Sequence, residues 1–189
     1  MAAFEQAFKI TMKNEGGYSN HPNDHGGETW RGVARHFWPE WPGWKIVDEI
    51  KSGNPASLNA ALAADTSLEA HVLAFYRVNF WDTGSLDLIN DQAVANQLFD
   101  AAVNMGAGTG AKFLQAGVNL LSPGTLAVDG KIGKLSIASA NALNGEQLYN
   151  AICTIRKQRY EHLIAANPPQ AEFRKSWFSR MPPYDQANS

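Results

Sequence analysis

Glu15 stands where a carboxylic acid can do chemistry. Phe4, Ala7, Phe8 and Met12 recur at helical spacing, and the pair Gly16-Gly17 ends the run. At about 100° per residue, Glu15 falls in the same sector as Phe4 and Phe8, in the last turn of the predicted helix. Partial burial and the negative end of the helix dipole both disfavour its charged form, and both raise its pKa. A general acid that protonates a sugar oxygen near neutral pH needs such a shift. A solvated glutamate at a frayed helix end would occupy the same place in the chain, so the choice between the two rests on what surrounds it.

The segment 18–44 that follows is polar, rich in glycine and aromatic in turn. It carries three further carboxylates, Asp24, Glu28 and Glu40, and Asp24 precedes Gly26-Gly27 in a way that also suits an Asx-turn. Regular helix is not expected through much of it, and so long a loop in a compact domain is more often functional than idle. Four of the six tryptophans, Trp30, Trp38, Trp41 and Trp44, lie within fifteen residues. Exposed indoles would give flat platforms for sugar rings, and buried ones would be plain packing. His21, Asp24, His25 and His36 also crowd this stretch, but their spacing matches no zinc pattern, and neither a metal nor another cofactor is expected.

Other chemistries find less support. Cys153 is the single cysteine, so no intramolecular disulfide can form; it reads as a small buried helix residue, since the nearest histidine in sequence, His162, is more than two helical turns away. The Gly-rich stretches at 106–110 and 122–133 match neither a Walker A loop nor a dinucleotide fingerprint. The formal charge of −2 gives no reason to expect nucleic acid. Arg156, Lys157, Arg159, Arg174, Lys175 and Arg180 make the last third locally basic, which reads as solvated helix faces and would also suit an anionic cell-wall polymer. The first residues lack a signal sequence and no stretch is apolar enough to span a bilayer, so the chain is expected to be made in the cytoplasm without stable membrane insertion.

The elements that must position these groups are mostly helices. Thr66-Ser67-Leu68-Glu69 reads as a capping box opening a helix with the stripe Leu68, Val72, Phe75 and Tyr76. A helix over about 91–105 carries Val94, Leu98 and Ala102 on one side and Gln97, Asp100 and Asn104 on another, and that polar stripe either lines a cleft or, as favoured from spacing, faces water. A long helix opens near Asn144-Gly145-Glu146 and stops at Asn167-Pro168-Pro169. No alternating run is long enough for a sizeable sheet, although 18–44 has room for a small hairpin. The predicted class is mainly α.

Asn14-Glu15-Gly16-Gly17-Tyr18, with Asp24-His25-Gly26-Gly27-Glu28-Thr29-Trp30-Arg31-Gly32 after it, resembles the glycoside hydrolase family 108 muramidases. The second half, from Asn96 through Arg180, resembles the predicted peptidoglycan-binding region that accompanies that family. A more distant similarity is to the phage-type lysozymes, whose Glu, Asp and Thr are separated by eight and then five residues. Glu15 and Asp24 keep the first gap, and Thr29 follows after four residues.

The resemblance implies a lysozyme-like helical fold, with catalysis in 1–90 and peptidoglycan binding in 91–189, the two packed as one compact unit. It implies Glu15 as general acid, Asp24 orienting a water or stabilising the transition state, and Thr29 placing that water. Tyr18, Gly27, Trp30 and Asn104 are the expected substrate contacts, the glycines allowing close backbone approach, and Glu28 is a spare carboxylate. The implied substrate is the β-1,4 bond between N-acetylmuramic acid and N-acetylglucosamine in peptidoglycan glycan strands. Transglycosylase cleavage of that bond and a non-catalytic wall-binding module are the alternatives. The chain is expected to be a monomer acting on the periplasmic or external wall after holin-dependent release or secretion, with an immunity protein as partner in the latter case.

Overall fold

The computed structural model describes residues 1–13, 16–20 and 27–188. The fold is mainly α with a small antiparallel sheet, the lysozyme-like class expected from the sequence. Backbone contacts divide the chain into two units, Met12–Arg77 and a second made of Met1–Thr11 with Val78–Ser189. Among the described residues no helix is long and apolar enough to cross a membrane.

The unit Met12–Arg77 is built on three two-residue strands, β1 (Tyr18–Ser19), β2 (Thr29–Trp30) and β3 (Val33–Ala34). Tyr18 pairs with Trp30 and Ser19 with Thr29, while Thr29 pairs with Ala34 and Trp30 with Val33. Only Arg31 and Gly32 connect β2 to β3, with φ of 44° and 80°. Two positive values in a row are what a tight hairpin needs to match strand twist. Arg31 accepts this conformation because both its ends are held: its guanidinium pairs with Glu69 at 2.5 Å, and its carbonyl accepts the Tyr76 hydroxyl at 2.7 Å. Both partners lie on one helix, α4 (Thr66–Tyr76).

Helices α2 (Gly43–Ser52) and α3 (Leu58–Ala64) complete this unit. The cap of α4 is Asp65 rather than the expected Thr66, because Asp65 takes the extended conformation and its carboxylate accepts the Leu68 amide at 2.8 Å. Trp30, Trp41 and Trp44 are buried together with Val33, Val47, Leu68, Val72 and Tyr76.

In the other unit, α1 (Phe4–Met12) ends before the Gly-Gly pair. Its Phe4 ring stands edge-on to Trp81 and to Phe99, each at 5.7 Å between centroids. Helix α5 (Gln92–Met105), capped by Asp91, is buried at every residue from Ala93 to Ala102. Such all-round burial marks a central helix rather than a surface one. It packs against α6 (Ala107–Leu121) and α8 (Gly145–Ala166). Helices α7 (Lys134–Asn141) and α9 (Arg174–Ser179) complete the set.

The close approach of these helices depends on glycine. A Cβ on Gly110 would sit 3.2 Å from the Leu98 carbonyl and the Ala102 amide of α5, and one on Gly117 would sit 2.9 Å from Ile152 of α8. The backbone of the loop 122–133 is tied to side chains of α6. Asn119 bonds both the amide and the carbonyl of Leu126, and Gln115 bonds Asp129, Gly130 and Lys131.

The Gln97, Asp100 and Asn104 stripe departs from expectation. Gln97 and Asp100 are buried, and Asn104 is half-buried. They meet Arg156, Tyr160 and Arg180, whose polar groups replace the water that the helical spacing alone suggested.

Candidate active site

The sheet edge that carries the Gly-Gly-Tyr sequence is anchored by a cluster around Glu28. One oxygen of its carboxylate accepts the Tyr18 hydroxyl at 2.7 Å and the Lys51 ammonium at 2.5 Å. The other pairs with Arg35 Nε at 2.7 Å. Arg35 also grips Asp48 through both terminal nitrogens, at 3.1 and 2.6 Å, and its guanidinium lies 4.4 Å above the Trp44 ring. The cluster thereby ties β1 and the residue before β2 to α2.

Burial pushes the Glu28 pKa up and is the largest single influence, yet the sum goes the other way. The hydrogen bonds from Lys51 and Tyr18, with the charges of Arg35 and Lys51, together hold it below the ordinary carboxylate value. Lys51 is raised correspondingly, chiefly by its bond to Glu28. Glu28 is thus a fixed anion with both oxygens engaged, suited to holding the hairpin and poorly suited to exchanging a proton.

The positions expected to take part fall in three groups. Glu15 and Asp24 lie outside the described residues, as do His21 and His25. Tyr18, Gly27, Thr29 and Trp30 are brought together on the β1–β2 hairpin: Tyr18 is half-buried with its amide donating to Asn59 Oδ1 at 2.8 Å, and Gly27 has a φ of 63° with nothing within 4 Å of where a Cβ would be. Thr29 is half-buried in β2. Trp30 is only 2% exposed, so its ring belongs to the core of this unit and offers no open face to a sugar. Asn104 lies in the other unit, with its side-chain oxygen accepting the Tyr160 hydroxyl at 2.8 Å.

Sequence reasoning missed Lys51, Arg35 and Asn59, which hold the hairpin from outside its own segment. Nothing in their local pattern marks them, because Lys51 reaches Glu28 across 23 positions and Asn59 reaches Tyr18 across 41.

Asn104 belongs to a buried charged network. Arg156, fully buried, donates to Asp100 Oδ2 at 2.6 Å, to Tyr160 at 2.9 and 3.1 Å, and to Gln97. Arg180 takes the second Asp100 oxygen at 2.9 Å. The Tyr160 ring stacks on Trp177, 4.8 Å away and tilted by 16°. Burial raises the Tyr160 hydroxyl pKa, and nearby Cys153 is likewise pushed up by burial, which makes it a weak nucleophile. Among the described residues no cluster of three or more His, Cys, Asp or Glu could hold a metal ion.

The family model described as Glycosyl hydrolase 108 matches residues 8–106. The chain belongs to that family and is a glycoside hydrolase. A second model, described as Predicted Peptidoglycan domain, matches residues 110–182 and makes peptidoglycan its substrate class. The structure of Brucella abortus SagA is similar over 98% of this chain and 91% of that one, at 24% identity and a TM-score of 0.62, a likeness of fold. No curated protein matches the sequence. The boundary between the two matches falls between α5 and α6, although both helices pack in the same unit.

Proposed function

We propose that this hydrolase is an endo-acting N-acetylmuramidase that cleaves the β-1,4 bond between N-acetylmuramic acid and N-acetylglucosamine. Glu15 is the general acid, Asp24 its partner and Thr29 the group that helps place the water. The observation that carries the reading is the register of the hairpin. Ser19 pairs with Thr29, so the segment bearing Asp24 is closed at its base, and Glu15 precedes Tyr18 by three positions. Paired strand positions stand about 5 Å apart. The cluster of Tyr18, Glu28, Lys51 and Arg35 keeps that base rigid, as a preorganised site requires. If the water attacks directly, the Glu15 and Asp24 carboxyls stand roughly 6.5–9.5 Å apart and the anomeric configuration inverts.

In this reading residues 1–90 carry the chemistry and 91–189 contribute wall binding, Asn104 included. The enzyme works at the cell wall as a monomer, reached through holin-dependent release or through secretion with an immunity protein. The test is mass spectrometry of fragments released from purified peptidoglycan by the natural chain and by Glu15→Gln. Reducing N-acetylmuramic ends, with release at least about a hundredfold slower in the variant, are expected. Anhydro ends would make the enzyme a transglycosylase, and binding without fragments would leave a wall-binding module.

A further inference from the structure

The four clustered tryptophans do not share one fate. Trp30, Trp41 and Trp44 are 2%, 8% and 3% exposed, whereas Trp38 is 41% and its neighbour Phe37 is 66% exposed. These two rings project from the turn between β3 and α2, and the turn is pinned. The amides of Phe37 and Trp38 both donate to the Ala34 carbonyl at 3.1 and 2.9 Å, and the Trp38 carbonyl accepts the Trp44 indole N–H at 2.8 Å. The Trp38 ring also stands edge-on to Phe75 at 4.9 Å. Two adjacent large aromatic side chains exposed on a pinned turn make a contiguous apolar patch of the kind that marks a binding site.

Beside the turn lies an open hollow of about 610 Å³, whose rim includes Arg35, Glu40, Lys45, Asp48 and Glu49. Two cations and three carboxylates share that rim, so it offers both hydrogen-bond donors and acceptors with only a small excess of negative charge. Apolar platforms flanked by donors and acceptors match a pyranose ring, which presents C–H groups on its face and hydroxyl and amide groups around its edge. Arg35 joins this hollow to the Glu28 cluster and through it to Tyr18.

We propose that Phe37, Trp38 and the adjoining hollow form a glycan-strand subsite, which takes an N-acetylhexosamine ring apart from the residues that cleave the bond. This subsite rests on the reading of the chain as a peptidoglycan glycan hydrolase. It holds the strand through a ring stacked on the aromatic pair, with the sugar's polar edge turned to the charged rim.

The test uses peptide-free glycan strands, which remove any contribution from stem peptides. Binding is measured by titration in the Glu15→Gln chain with and without Phe37→Ala, Trp38→Ala and Trp38→Tyr. Cleavage is measured in the natural chain and the same aromatic variants on long strands and on the shortest strand cleaved. Loss of about tenfold in affinity with either alanine, recovered in part by Trp38→Tyr, is expected. The ratio of kcat/KM on long strands to that on short ones should fall by a similar factor. Phe37 is 66% exposed and its ring meets only the edge of its chain neighbour His36 among the ring contacts described, so Phe37→Ala reports on the ligand even if Trp38→Ala loosens the turn. Unchanged affinity in a folded Phe37→Ala together with Trp38→Ala, or equal losses on long and short strands, overturns the subsite. If strands bind but are never cleaved, the muramidase reading fails alone, and the titrations still decide the subsite.

Discussion

At the scale of single residues, two glutamates thirteen positions apart meet opposite demands. Glu15 needs a raised pKa to act as an acid, and Glu28 is held below its ordinary value by Lys51, Tyr18 and Arg35. A carboxylate whose folded pKa is depressed contributes stability that is full above its unfolded pKa, about 4.3 for Glu, and is lost as pH falls through the folded value. Glu28→Gln should therefore lower unfolding free energy by about 1–2 kcal/mol at pH 7, and the difference from the natural chain should shrink as pH falls toward about 3. Urea denaturation at both pH values measures this. A gap that stays constant would mean that Glu28 acts through packing and not through its charge. Glu15 could be singled out in the sequence because the apolar stripe before it, the Gly-Gly pair after it and the motif around it are all local. The Glu28 cluster was not, because its cations come from α2 and from beyond β3.

At the scale of elements, periodicity found α5 and α8 nearly to the residue, since each carries its own stripe and its own cap or stop, while α1 ends at Met12, short of the last turn expected at Glu15. It failed on the direction in which the polar stripe of α5 points. Spacing shows that Gln97, Asp100 and Asn104 share a face, but only the fold brings Arg156 and Tyr160 to that face from 56 to 59 positions away. With such partners a polar face can be buried at tolerable cost. The contact of α6 with α8 was equally hidden, because it turns on the missing Cβ of Gly117. Replacing an interior helix glycine by alanine normally stabilises by about 0.8–1.0 kcal/mol. At Gly117 the new methyl would sit 2.9 Å from Ile152 Cγ1, with the Ile152 amide nitrogen at 3.4 Å. Ile152 is fully buried and has nowhere to move. Overpacking of this kind costs about 1–3 kcal/mol, so Gly117→Ala should lower the thermal midpoint despite its better helix propensity. A raised midpoint would show that the two helices can part without penalty.

At the scale of the whole molecule, the family matches and the packing divide the chain differently. The hydrolase match ends at residue 106 and the peptidoglycan match begins at 110, whereas the sequence resemblance divides the chain at 90 and 91, ahead of α5. The unit formed by Met1–Thr11 and Val78–Ser189 spans that boundary, with α5 on one side of it and α6 and α8 on the other. A chain ended after Gly106 would strip α5 of both neighbours and leave Asp100, a buried carboxylate, without Arg156 and Arg180. An uncompensated buried charge of this kind is destabilising by about 3–5 kcal/mol, and the lost packing of Leu98 and Ala102 against Gly110 adds to it. Total stabilities of single domains are only about 5–15 kcal/mol. Residues 1–106 alone should therefore show no cooperative unfolding of α5 by circular dichroism, and co-expression with residues 107–189 should restore a soluble, cooperatively melting complex. Were 1–106 to melt sharply by itself and still release glycan fragments, the hydrolase match would be an autonomous domain, and the Asp100–Arg156 network would serve the wall-binding half only.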